Sequence, residues 1–255
     1  MRIATFNILH GRSIEDGRVD VDRLAAAVKS LDADVLGLQE VDHDQPRSHG
    51  TDLTAVAAGA MRAVDSRFVA ALSGTPGGTW TAIGDGDQPR GASYGVSLLS
   101  RHPVVSWQVV RMAALPVSVP LWVPGARRPF LVRDEPRVAV AAVVDGPWGR
   151  FTACTTHLSF IPRWNSHQLR TLVRSLEGSP GPLVLLGDLN MQQRAAARHS
   201  GLTPLATAAT FPAPRPSRQL DHVLARGGLR PIGPAEAVRL PLSDHRALAV
   251  RVAAA

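Results

Sequence analysis

The chain of 255 residues carries one cysteine, one tyrosine and only 5% aromatic residues. With Cys154 alone, no intramolecular disulfide can form and nothing points to an oxidising compartment, so a buried structural thiol is expected. Few aromatics leave little for stacking nucleobases. The basic residues, mostly Arg, are scattered rather than gathered into a stripe, which argues against a dedicated nucleic-acid arm. No apolar run approaches the roughly 20 residues of a membrane-spanning helix. The longest, the seven residues from Val138 to Val144, reads as a buried strand. The opening Met1-Arg-Ile-Ala-Thr-Phe-Asn7 lacks the apolar region of a signal peptide, so a cytoplasmic location is expected unless a leader has been removed.

What is present suits a globular protein with one substantial core. Hydrophobic residues make up 45% of the chain, no polar linker interrupts its middle, and one domain over residues 1–255 is the simplest reading. A net charge of +7 favours a phosphate-bearing partner, whether nucleic acid, phosphorylated small molecule or anionic membrane surface.

Short apolar runs predict strands at residues 2–7, 34–40, 67–72, 79–83, 95–100, 104–111, 137–144, 150–156, 182–187, 219–225 and 245–252. Helices are predicted behind Asp20, with Val21, Leu24, Val28 and Leu31 inward, and over 51–63, with Leu53, Val56 and Ala60 inward. A third runs from an Asn165 cap through Glu177, with Gln168 as capping-box partner. Strands paired as hairpins, mixed with strands separated by helices, imply mixed sheets in a layered α/β sandwich.

Polar residues close these apolar strands along the whole chain: Asn7, Glu40, Tyr94, His157, Asp188 with Asn190, Asp221 with His222, and Ser243-Asp244-His245. Each alone is a weak signal, since an Asp at a strand end is commonly a cap or turn former. Together, on strands ending at one side of a sheet, carboxylates, amides and imidazoles suit a hard cation and a phosphate.

The ordered set Thr5-Phe6-Asn7, Leu38-Gln39-Glu40, Leu98-Leu-Ser-Arg-His-Pro103 after Tyr94, Thr156-His157-Leu158, Gly187-Asp188-Leu189-Asn190, Leu220-Asp221-His222 and Ser243-Asp244-His245 resembles the endonuclease/exonuclease/phosphatase superfamily. The resemblance spans residues 1–252. It implies a four-layer α/β sandwich, two mixed β-sheets packed face to face with helices outside, and a single site at one rim. It further implies a metal-dependent hydrolase of phosphate mono- or diesters.

Roles implied by the resemblance follow by position. Glu40 is the principal metal ligand, with Asn7 and Asp244 close to the cation, and the oxygen-rich set favours Mg²⁺ or Mn²⁺. Asp188 orients or deprotonates the attacking water, and Asn190 is its positioning partner. His245 is held by Asp221 and acts on the scissile phosphate, while His157 and Tyr94 donate to phosphoryl oxygens. Arg133 and Arg137 are further phosphate contacts or ordinary surface charge. His10 is placed to reach the cleft, and His222 fills an aromatic position.

The features Phe6-Asn-Ile-Leu-His-Gly11, Glu40-Val-Asp42, Arg47 and Asp52 resemble compact bacterial members with relatives in lipid-anchor or phospholipid metabolism. With no basic stripe interleaved with aromatics, a small-molecule or lipid-headgroup phosphoester is the expected substrate, slightly ahead of DNA, and a monomer the expected state. A catalytically silent binding module is disfavoured, because a pure binder has no need of both a metal site and a His–Asp pair. The Pro-rich stretch from Ala113 to Phe130 is expected to lack regular strands. Its apolar side chains either pack on the body or form a surface beside the cleft, where Trp122, Arg127 and Arg128 would meet a lipid boundary in peripheral membrane contact.

Overall fold

The computed structural model describes residues 1–76, 78–84, 91–122 and 128–255, with Leu121 described by its backbone. In chain order the strands are β1 (Arg2–Asn7), β2 (Val35–His43), β3 (Asp65–Gly74), β4 (Trp80–Ala82), β5 (Ser93–Ser100), β6 (Val104–Met112), β7 (Val119–Leu121) and β8 (Phe130–Val132). They continue with β9 (Arg137–Gly146), β10 (Gly149–His157), β11 (Leu183–Asp188), β12 (Thr203–Pro204), β13 (Asp221–Arg226), β14 (Leu229–Pro231), β15 (Glu236–Val238) and β16 (Ala247–Ala254). The α-helices are α1 (Val21–Leu31), α2 (Leu53–Met61), α3 (Trp164–Ser175) and α4 (Gln193–Ser200).

One sheet has the order β14-β16-β1-β2-β5-β3-β4, with β15 beside β16, and the other the order β12-β13-β11-β10-β9-β6. Both are mixed: β1 and β2 are parallel, as are β10 and β11, while their other neighbours run antiparallel. The period of two along each strand sorts side chains between layers. Ile3, Val35 and Leu98 from the first sheet meet Val140, Phe151 and Leu186 from the second in a common core. Ala4, Phe6 and Leu36 turn outward onto Leu24, Val28 and Leu53 of α1 and α2. Cys154, Leu183 and Leu185 turn outward onto Leu169 and Leu172 of α3. The result is the expected four-layer α/β sandwich, and Cys154 is buried as anticipated.

Close approach of the sheets depends on Gly37, where a Cβ would lie 2.5 Å from Thr155 Oγ1. In that space Gln39 Nε2 donates to Thr155 Oγ1 at 2.9 Å, and Thr5 Oγ1 donates to Gln39 Oε1 at 3.2 Å. A buried polar tie thus joins the sheets just below the strand ends.

Several local expectations need correction. β2 continues past Glu40 to His43, through an irregularity between Leu38 and Val41 where Glu40 takes φ 55°. Helix α2 buries Leu53, Thr54, Ala57 and Met61, leaving Val56 and Ala60 half-buried, because its Ala- and Gly-rich sequence marks no sharp apolar face. Asn165 does not cap α3. Arg163 precedes the helix at φ 69°, Asn165 Nδ2 donates to Asn190 O, and Gln168 Oε1 accepts from Ser159 N. The short α4, β12, β14 and β15 carry too little apolar period to be seen in sequence.

The Pro-rich stretch also differs from expectation. β7 and β8 form a separate antiparallel ribbon in which Pro120 sits opposite Leu131. A two-stranded ribbon tolerates proline because each strand has an edge that pairs with nothing. Val117, Trp122, Phe130 and Leu131 stand exposed, so for them packing on the body is excluded, while Val123, Pro124 and Arg127 lie outside the described residues. No helix among the described residues is long and apolar enough to cross a membrane.

Candidate active site

Register brings the polar strand ends together. In the second sheet His157 at the end of β10 pairs with Asp188 at the end of β11, and Asp188 pairs with Asp221 at the start of antiparallel β13. In the first sheet Asn7 pairs with Gln39, the neighbour of Glu40. Gly187, at φ 142°, precedes Asp188 where a Cβ would fall 2.0 Å from Thr156 O, so the Gly-Asp step has a steric reason.

Asp188 is the meeting point. Its Oδ2 accepts from Asn7 Nδ2 at 3.1 Å and lies 3.6 Å from His157 Nε2 and 3.7 Å from His245 Nε2. Its Oδ1 accepts from the Asn190 backbone N at 2.9 Å. Burial pushes the Asp188 carboxyl up to about 7, against the opposing pull of His245 and the two hydrogen bonds. Asn190, at φ 51°, donates through Nδ2 to Leu158 O at 3.0 Å and faces His157 Nε2 at 3.2 Å.

His245 Nδ1 lies 2.9 Å from Asp221 Oδ2, which also accepts from Thr210 Oγ1. Burial opposes charge on this imidazole, but the charge and hydrogen bond of Asp221, then Asp188 and Asp244, outweigh it and raise His245 to about 10. His157 is the opposite case: burial, Arg137 and His245 hold its pKa well below the ordinary histidine value, so it is neutral. Ser243 braces the assembly, donating through Oγ to Asn7 O at 2.6 Å and accepting from His245 N at 3.0 Å.

Glu40 accepts from Asn7 Nδ2 at 3.0 Å. Burial and the charge of Asp244 raise its carboxyl above the usual range, against the Asn7 hydrogen bond and the charges of His245 and Arg137. Carboxylates raised in this way are short of positive charge, and a divalent cation would supply it. Asn7 presents its amide nitrogen to both Glu40 and Asp188, while its Oδ1 accepts from Leu9 N at 3.1 Å. Direct ligation by that oxygen would need the amide to turn. One ligand atom each from Asp188, Asp221 and His245 also lie within 4.8 Å of one another. There the protonated His245 already answers the two carboxylates, so the oxygen donors around Glu40 fit a cation better.

Glu40, Tyr94, Arg133, Arg137, His157, Asp188, Asn190 and His245 line a single cleft of about 320 Å³. Arg137 is buried at its wall, 3.9 Å from Asp134 Oδ1, and its Nε has no hydrogen-bond partner among the described residues. Asp221 stands behind His245 rather than in the lining, and Asp244 acts on Glu40 and His245 through its charge. His10 lies apart from the lining, where burial and then Arg47 lower its pKa to about 4. His222 is a buried packing residue, its Nε2 2.8 Å from Met191 O.

Sequence reasoning missed several contributors. Glu135, Val132 and Phe160 complete the cleft, Thr210 holds Asp221, and Arg47 spans to the cleft wall. Arg47 makes a two-pronged pair with buried Asp42, at 2.7 and 2.8 Å, and lies over the Tyr94 ring at 5.5 Å. A buried Asp in an apolar strand five residues before an Arg was the available signal.

A model of the Endonuclease/Exonuclease/phosphatase family matches residues 4–245. The chain belongs to the endonuclease/exonuclease/phosphatase family. It is thus a hydrolase of phosphoester bonds in a divalent-metal-dependent family. Similar solved structures include an endonuclease/exonuclease/phosphatase from Beutenbergia cavernae, with a TM-score of 0.72 and 24% identity over 100% of this chain and 71% of that one. A mannosyl-6-phosphatase from Bacteroides thetaiotaomicron is similar at a TM-score of 0.62 and 15% identity over 99% of both chains. The human Nocturnin catalytic domain with bound sulfate gives 0.63 and 18% over 100% of this chain and 94% of that one. These likenesses are to the fold. No curated protein matches the chain significantly in sequence.

Proposed function

We propose that this single-domain phosphoesterase uses Mg²⁺ or Mn²⁺ to hydrolyse a small-molecule or lipid-headgroup phosphoester by in-line attack of water. The observation that carries the reading is Asp188 Oδ2, 3.6 and 3.7 Å from two imidazole nitrogens in a cleft where Arg137 Nε has no hydrogen-bond partner among the described residues. A carboxylate raised toward neutrality is a suitable acceptor for a water proton. The buried guanidinium suits a phosphoryl oxygen.

In this reading Asp188, fixed by Asn7 and Asn190, orients the water and takes its proton as oxygen attacks phosphorus. Arg137 and Tyr94 contact the phosphoryl oxygens, His157 joins them from the Asp188 side, and Arg133 stands at the rim. His245, kept charged by Asp221, faces the phosphate as the bond to the leaving oxygen breaks. A bound cation, held by Glu40 with Asn7 and Asp244 near it, would neutralise charge on the phosphoryl and leaving oxygens.

The modest cleft favours a compact ester, and exposed Trp122, Phe130 and Leu131 on the neighbouring ribbon, with exposed Arg128, favour a lipid boundary over a duplex groove. A DNA phosphodiesterase is the second reading, favoured by the +7 charge. A panel of plasmid DNA, abasic oligonucleotide, phospholipid vesicles, inositol and sugar phosphates and bis-p-nitrophenyl phosphate tests both. Preferential release of phosphate or headgroup supports the first; nicking of DNA at far higher efficiency would replace it with the second.

A further inference from the structure

The Asp42 side chain is fully buried near the end of β2, and both its oxygens accept from Arg47, Oδ2 from Nε at 2.8 Å and Oδ1 from Nη2 at 2.7 Å. Neutralising a buried carboxylate explains this two-pronged pair but not the place where it stands. Asp42 is the cross-strand partner of Tyr94 on β5, and such partners share one face of a sheet. The guanidinium that grips Asp42 therefore also lies over the Tyr94 ring, 5.5 Å from its centre. Tyr94 in turn borders the reaction cleft with Glu40 and Arg137.

The turn that presents Arg47 is itself held. Pro46–Ser48 form a short 3₁₀ turn in which Ser48 Oγ donates to Gln45 O at 3.2 Å, and buried Gln45 donates through Nε2 to Gly74 O at 2.6 Å. Tyr94 is fixed less well by its own strand. The β2–β5 pairing is irregular between Leu38 and Val41, and the β3–β5 pairing between Ala70 and Leu72, so a break in register lies close to Tyr94 on both sides. Burial opposes charge on Arg47, but the hydrogen bond and charge of Asp42, then Tyr94 and Glu40, outweigh it and keep it a cation. Burial and the charge of Glu40 hold the Tyr94 phenol protonated, its pKa well above the ordinary value. A cation over an aromatic face is attracted by the ring's quadrupole; it steadies the ring and draws electron density away from the O–H.

We propose that Arg47, anchored by Asp42, is a positioning residue that acts through Tyr94: its charge over the ring orients the phenol and strengthens the hydrogen bond that the hydroxyl donates to a phosphoryl oxygen. The inference rests on the proposed phosphoesterase reading, in which Tyr94 contacts the phosphoryl group, and adds the pair behind it. Arg47 itself touches neither the phosphate nor the attacking water in this account.

Removing Arg47 alone would strand a buried carboxylate and endanger the fold. The test therefore uses a neutral pair, Asp42→Asn with Arg47→Gln, which removes both charges and keeps groups able to hydrogen-bond. Hydrolysis of bis-p-nitrophenyl phosphate with Mg²⁺ is compared in the parent, the neutral pair, Tyr94→Phe and all three changes combined. The neutral pair should lower kcat by about fivefold or more with KM within about twofold, and should cost little further in the Tyr94→Phe background. Tyr94 is the chain's only tyrosine, so a sample labelled with ¹³C-tyrosine gives a single ring to follow by NMR. Its Cζ signal should move when inorganic phosphate is added with Mg²⁺, and no more than about half as far in the neutral pair. That measurement reads binding, so it tests the Arg47–Tyr94 unit even if the parent turns over no ester, a result that would count against the phosphoesterase reading instead. With turnover, an unchanged kcat in the neutral pair, or an equal loss with and without the Tyr94 hydroxyl, would overturn the proposal, as would phosphate shifts of equal size in both proteins. Arg47 would then serve only to neutralise Asp42.

Discussion

His245 bridges two carboxylates: Nδ1 lies 2.9 Å from Asp221 Oδ2 and Nε2 3.7 Å from Asp188 Oδ2. The first contact keeps the ring charged and oriented, and the second brings that charge to the carboxylate proposed to activate water. If the pair works as one unit, Asp221→Ala and His245→Ala should each lower kcat by roughly 10² or more, and the double variant by little more than either. Steady-state kinetics on the three variants checks this; losses that multiply would mean that the two residues act independently.

Glu40 is partly withdrawn from water with its carboxyl raised by burial and by Asp244. Without a cation this charge is poorly compensated, so Glu40→Gln should leave metal-free protein as stable as the parent or more stable. The same change should weaken Mg²⁺ or Mn²⁺ binding at least about tenfold and abolish most stabilisation by added metal. Thermal unfolding with and without metal reads both effects. Unchanged metal affinity would take Glu40 out of the cation site.

At Gly37 a Cβ would press on Thr155 Oγ1 at 2.5 Å and Cβ at 2.9 Å. Gly37→Ala should therefore cost about 1–3 kcal/mol by forcing the sheets apart and straining the Gln39–Thr155 hydrogen bond. Urea unfolding measures it, and an unchanged midpoint would show that the sheets yield without cost.

His10, with its pKa lowered to about 4, is kept neutral in the fold, whereas unfolded chains take up the proton near 6.5. The folded value is the lower one, so this contribution is present above pH 6.5 and is lost as pH falls toward 4. His10→Asn, a residue suited to the φ of 47° there, should flatten the decline in stability over that window. Denaturation of parent and variant between pH 7 and 4 tests this, and parallel profiles would contradict it.

Much of this was legible in the sequence because alternation and strand-end chemistry are local. β1, β9, β10 and β11 fall where apolar runs end on Asn7, His157 and Asp188, and the ordered motifs then imply the layers. The misreadings have tertiary causes. Asn165 resembles a cap, yet its amide is drawn to Asn190 O across the fold, and Gln168 is taken by Ser159. Prolines at 116, 120, 124 and 129 suggested no strand, but a free-standing ribbon leaves backbone edges that need no donor. Arg47 over Tyr94 and Arg133 over Trp80 join residues 47 and 53 positions apart, beyond the reach of any local pattern.

The central claim is that Asp188 activates water for phosphoester hydrolysis beside a divalent cation. Turnover of bis-p-nitrophenyl phosphate by parent and Asp188→Asn, each with Mg²⁺ or Mn²⁺ and with chelator, tests it most directly. The account predicts metal-dependent turnover by the parent, its loss in chelator, and a drop of about 10² or more in Asp188→Asn with the fold intact by circular dichroism. Undiminished turnover in chelator, or by Asp188→Asn in the presence of metal, would contradict it.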